Sequence, residues 1–175
     1  MGCCESRASS PSIEKLVCSY VEICNLDNIT CSCIKRLQVQ LTDTYLTLET
    51  YNDFVKSSDI KAPFSLLAKG NSIQKQELVY ALLLFSSDTF DNKRKLFEEE
   101  IAKSSRRLMH FLELKHQLLY ERIPQELAKL NIIKSPKEKE YSDRMRLKAG
   151  NGVFNSFQRA TENPNPIEYA AILSI

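Results

Sequence analysis

The stretch "PFSLLAKGNSIQKQELVYALLLFS", Pro63 to Ser86, carries the two features that set the fold class. Its second half contains the longest apolar run in the chain, Leu78 to Phe85. Crossing a bilayer takes about 20 consecutive apolar residues, so this run belongs to a protein core. Leu78, Ala81, Leu82 and Phe85 recur at helical spacing, which predicts a helix. Just upstream, Ile73 is followed four residues later by Glu77 and then by Leu78. The phrase returns along the chain: Leu46 precedes Thr50 and Tyr51, Met109 precedes Glu113 and Leu114, and Val153 precedes Phe157. Glu77 and Glu113 are 36 residues apart, a period that fits one helix–loop–helix unit.

The flanking sequence is also helical in pattern. Ile13, Leu16, Val17, Tyr20, Val21 and Cys24 form one amphipathic run opened by Pro11 and broken by "NLDN" (Asn25–Asn28). A second helix passes through Ile34, Leu37 and Leu41, and a third begins after Thr47. From Asp91 to Arg122, Phe97, Ile101, Leu108, Leu112 and Leu119 make an apolar stripe, with Glu98, Glu99, Glu100, Arg106 and Arg107 outside it. Pro124 then opens a short helix to Leu130. Strand signals are thin, so the expected class is all-α. The expected organisation is an anchor segment at 1–11, an N-terminal helical lobe at 12–90, a C-terminal lobe at 91–160 and a tail at 161–175. Tyr169, Ile172 and Ile175 of that tail are expected to pack back on the body.

These residues and spacings resemble the EF-hand (calmodulin) superfamily, over roughly Thr42 to Gln158. The resemblance implies paired helix–loop–helix units. In each, an apolar residue joins a short β-contact between loops, and a Glu closes the calcium site from the first turn of the exiting helix. Glu77 and Glu113 take that closing place. The ligand places depart from the family pattern, which needs side-chain oxygens at the first, third and fifth positions. Leu66, Ala68 and Gly70 stand there before Glu77; Ala102, Ser104 and Arg106 stand there before Glu113. The predicted fold is therefore EF-hand-like with degenerate loops and no metal bound.

The chain opens "MGCCESR". With Met1 removed, Gly2 becomes a substrate for N-myristoylation, which favours Ser or Thr at the position Ser6 holds. One myristoyl chain binds membrane only marginally, so a second signal is needed. Arg7 is the only basic residue before Lys15, which leaves S-palmitoylation of Cys3 or Cys4 as that signal. The start resembles those of Src-family kinases and some G-protein α subunits, and that resemblance implies attachment to the cytosolic face of a membrane. The other cysteines, Cys18, Cys24, Cys31 and Cys33, lack zinc-site spacing and are expected as thiols.

Composition excludes several classes. Hydrophobic residues make up 43% and charged residues 26% of the 175, which is globular rather than disordered. A net charge of +2 argues against nucleic acid as the main partner. No phosphate-binding glycine loop or nucleophile-elbow motif is present, and His110 and His116 are too far apart to share a helix face as ligands. Those histidines are expected at the surface or an edge. The expected function is thus a non-catalytic, acylated adaptor with no cofactor. It would hold a partner's amphipathic helix in an apolar groove lined by Leu78, Leu82, Phe85, Phe97 and Ile101. The alternatives are a calcium-responsive sensor of recoverin type and an acylated helical bundle unrelated to EF-hands.

Overall fold

Wherever a threonine precedes one of the predicted helical runs, the chain turns into a helix. The structure, a computed structural model, describes residues 13–58, 60–130 and 172–174. Its first elements are α1 (Ile13–Ile23), a 3-10 turn (Leu26–Asn28), α2 (Cys31–Gln40), β1 (Tyr45–Leu46) and α3 (Leu48–Ser58). There follow α4 (Phe64–Leu67), β2 (Ile73–Gln74), α5 (Lys75–Phe85), α6 (Phe90–Glu100) and α7 (Ser105–Gln117). A π-turn (Leu118–Arg122) leads into α8 (Ile123–Lys129). The protein is mostly helical, with a minor two-stranded sheet.

Thr30 and Thr89 cap α2 and α6, accepting from the N–H groups of Cys33 (3.3 Å) and Asn92 (3.4 Å). Thr47 does the same for Thr50 at the start of α3 (3.4 Å). Each hydroxyl satisfies a backbone donor that the first turn leaves without an intrahelical acceptor. Asn25, at φ 52°, ends α1 in the left-handed conformation that Asn tolerates.

The sheet ties the α2–α3 connection to the α4–α5 connection. β1 and β2 pair antiparallel, with Leu46 opposite Ile73 and Tyr45 opposite Gln74. Leu46 and Ile73 are both fully buried. Each strand runs almost directly into the helix that follows it, α3 or α5. The second loop closes tightly: the Lys69 N–H donates to the Ser72 carbonyl (3.0 Å), with Gly70 at φ 67°. A side chain at Gly70 would be strained, which is why glycine opens this turn.

Residues Glu77 to Phe85 of α5 are all buried. A helix buried on every face needs neighbours all round it. α2, α4, α6, α7 and the 3-10 turn provide them. Buried side chains from Val17 on α1 to Leu127 on α8, with Ile172 and Leu173, join one hydrophobic cluster. Among the described residues, no helix is long and apolar enough to cross a membrane.

Two features of the predicted 91–122 run differ. Its apolar stripe is real, but Ile101–Ser104 break it into α6 and α7. The Arg107 guanidinium donates to the Glu100 carbonyl (3.0 Å) and so closes the end of α6 from the next helix. Pro124 does not interrupt the chain's helical course. Its ring would clash with the carbonyl four residues earlier, and the π-turn ahead of it widens the backbone there.

The ladder contact should be structurally expensive to lose. Ile73→Ala should lower unfolding free energy by about 2–5 kcal/mol, as truncations of fully buried Ile do. Val39→Ala, at an exposed position on α2, should stay within about 0.5 kcal/mol of wild type. Urea unfolding of the two variants checks both.

Candidate functional site

Glu77 occupies the first turn of α5, where the helix dipole favours a carboxylate. Its residue is only 2% exposed, so its charge must be compensated within the protein. Two side chains converge on the same oxygen. Lys69, from the tight loop, places Nζ 2.6 Å from Glu77 Oε1, and His110, from α7, places Nε2 at 2.9 Å. Burial opposes ionisation of Glu77, but the hydrogen bonds from Lys69 and His110 outweigh it and hold the carboxyl below its ordinary range. An ionised carboxylate can only accept, so His110 donates through Nε2. Glu77 Oε2 is buried with no hydrogen-bond partner among the described residues. The His110 ring also meets Tyr80 edge-on, with centroids 5.8 Å apart. One carboxylate thus pins the start of α5 to its own loop and to α7.

A second cluster of cations lies at the other end of α5. Lys93 Nζ on α6 donates to the carbonyls of Leu84 and Ser86 (both 3.1 Å) and of Leu173 (3.4 Å). Lys115 Nζ on α7 donates to the carbonyls of Ile172 (3.0 Å) and Ser174 (2.6 Å). Burial lowers the pKa of Lys93, and burial with repulsion from Lys93 brings Lys115 down to about 8. Both ammonium groups thus meet backbone carbonyls at the ends of helical segments.

The predicted site residues fall in three groups. Leu78, Leu82, Phe85, Phe97 and Ile101 are at most 2% exposed. They do not line a groove. α5 is sheathed on all sides, so the side chains expected to face a partner face other helices of the same chain. Glu113 also departs from its expected role. Only Ile101–Ser104 separate α6 from α7, so Glu113 is exposed in the middle of a helix instead of closing a loop. Met109, its expected strand residue, is helical too, because Ser105 already starts α7. Glu77, by contrast, lies directly behind a strand and in the first turn of a helix. Gly2, Cys3, Cys4, Val153, Phe157, Tyr169 and Ile175 lie outside the described residues. Cys18, Cys24, Cys31 and Cys33 carry free thiols.

His110, expected at the surface or an edge, is partly exposed and pairs with the buried Glu77. Nothing local in the sequence marks that pairing across 33 positions. Lys69, Lys93 and Lys115 were not singled out either. For two of them a signal exists. Lys93 lies four residues before Phe97, and Lys115 four after Phe111 and four before Leu119, so both stand in the register of the buried stripe.

Lys69→Met should destabilise the protein by about 1–2 kcal/mol, below the range for a fully buried pair because Lys69 is half exposed. A pH effect follows from Glu77. Its folded pKa lies below its unfolded one, so its contribution is complete above about pH 4–5 and is lost as pH falls through the folded value. Glu77→Gln should therefore remove part of the acid-induced fall in stability. Melting temperatures of wild type and variant, followed from neutral pH to about pH 2, measure that difference.

No family model matches this chain, and neither the curated proteins nor the solved structures contain a significant match to it.

Proposed function

We propose that this chain is a non-catalytic adaptor held on the cytosolic face of a membrane by acyl groups on Gly2 and on Cys3 or Cys4. Its body is a degenerate EF-hand-like pair of helix–loop–helix units that binds a partner's amphipathic helix. The contact between Lys69 and Glu77 carries the reading of the body. In the EF-hand family the Glu at this place completes a calcium site. Here a loop ammonium lies 2.6 Å from that carboxylate and supplies the positive charge in the ion's stead. The ladder between Leu46 and Ile73 supports the same kinship, because it joins the two loops through the residues that the repeated phrase singles out.

A divalent ion would have to displace Lys69 and would find Leu66, Ala68 and Gly70 where ligands are needed. This weighs against a recoverin-type calcium sensor. The alternative of an acylated bundle unrelated to EF-hands draws its support from the second half, where α7 runs straight through Met109 and Glu113. Membrane attachment rests on "MGCC" and on the two-signal arithmetic of acyl anchors: each buried methylene contributes about 0.8 kcal/mol, so one myristoyl chain alone dissociates readily.

Mass spectrometry of the native N-terminus should show myristoyl-Gly2 and a thioester-linked acyl group on Cys3 or Cys4. Gly2→Ala should move the protein from the membrane fraction to the soluble one; unchanged partitioning would sink the anchor. Calorimetry with calcium at about 1 mM, the weak end of EF-hand affinities, should give no binding heat. Saturable heat would favour the sensor instead.

A further inference from the structure

Several helix ends in this protein are closed by a cation from a distant element. Lys75 Nζ donates to the carbonyls of Gln38 (2.7 Å) and Leu41 at the end of α2. Arg122 donates to the carbonyls of Leu66 (3.0 Å) and Leu67 (3.2 Å) in α4. Lys93 does so for α5 through the carbonyls of Leu84 and Ser86. The last carbonyls of a helix have no intrahelical donor and carry its negative dipole end, so each such contact fixes where a helix stops.

Lys115 follows the same rule for a segment 57 residues further along the chain. Ile172 and Leu173 are helical in conformation and buried, while Ser174 is exposed. Lys115 takes the carbonyls on either side of Leu173, and Lys93 takes that of Leu173 itself. Two apolar side chains thus enter the core while two ammonium groups grip the three carbonyls that follow from them. Lys93 would keep the Leu84 and Ser86 carbonyls if the segment left; Lys115 would give up both of the carbonyls named here.

We infer that Lys93 and Lys115 form a seat for the C-terminal end of an apolar helix, and that Ile172–Ser174 is its resident, displaceable occupant. The partner is a protein helix ending in two adjacent apolar residues and a small polar one. The chain's own tail is the template for that preference. This deepens the adaptor reading by giving the partner helix a place, and it needs no acyl chain. A helix end can enter only when the tail leaves, so the seat is self-competing.

The test uses unacylated full-length chain and a fluorescein-labelled peptide of residues 163–175, read by anisotropy. A full-length Ile172→Ser/Leu173→Ser variant should bind the peptide saturably, at least ten times more tightly than wild type does. Adding Lys115→Met to that variant should weaken binding about tenfold or more. A folded variant that ignores the peptide, binds it no better than wild type does, or is indifferent to Lys115→Met overturns the seat. So does a wild-type dimer that the double substitution dissolves, because the occupant would then be a second copy's tail. If the variant does not fold, hydrogen exchange decides. The C-terminal peptide should exchange slowly in wild type and at least tenfold faster in Lys115→Gln, and equal rates refute the proposal. Failed membrane partitioning would leave all these readouts untouched, so the two ideas can fail separately.

Discussion

The burial of α5 on every face is the constraint around which the molecule is arranged. At both polar ends of this helix, side chains from other parts of the chain meet the groups that its first and last turns leave without intrahelical partners. Glu77 sits at its first turn, with Lys69 and His110 on one carboxylate oxygen. At the far end, Lys93 meets the Leu84 and Ser86 carbonyls, and the Ser86 hydroxyl donates to the Ile29 carbonyl (2.7 Å). The same requirement explains why α2 and α6 flank it closely: Asp88, just beyond α5, accepts from the Cys31 N–H at the start of α2 (2.9 Å).

This arrangement also explains why an apolar run became core rather than binding surface. Leu78, Leu82 and Phe85 share one face of α5, and the helices packed around α5 leave that face as buried as the others. The surface chemistry is instead concentrated where backbone ends emerge. Cations meet carbonyls at α2, α4, α5 and α6 and at the tail segment, and at each place a side chain from another element decides the geometry. Taking an ammonium out of water is costly, and carbonyl partners offset only part of that cost. Lys93 and Lys115 share that cost across one docked segment.

Much of the helical frame was legible because its determinants are local. Thr30, Thr47 and Thr89 start helices with their own side chains, Asn25 ends one, and α1, α2, α3 and α5 lie where apolar spacing predicts. Leu46 and Ile73 were marked by a repeated phrase and face each other across the ladder. The same phrase misled at Met109 and Glu113, because an amphipathic helix generates that spacing too and Ser105 starts α7 ahead of both. The break at Ile101–Ser104 was hidden by a stripe that stays in register across it.

From sequence alone came the helical class, the apolar stripes, the break at Asn25–Asn28 and the "MGCC" opening on which the proposed acylation rests, all of which depend on residues within a few positions of one another. Only tertiary structure decided which faces of α5 are covered, that His110 reaches Glu77, and that Lys93 and Lys115 receive Ile172–Ser174. Those outcomes join residues 33 to 80 positions apart. Spacing rules read one helix at a time, and such contacts arise only when several helices have closed on a common core.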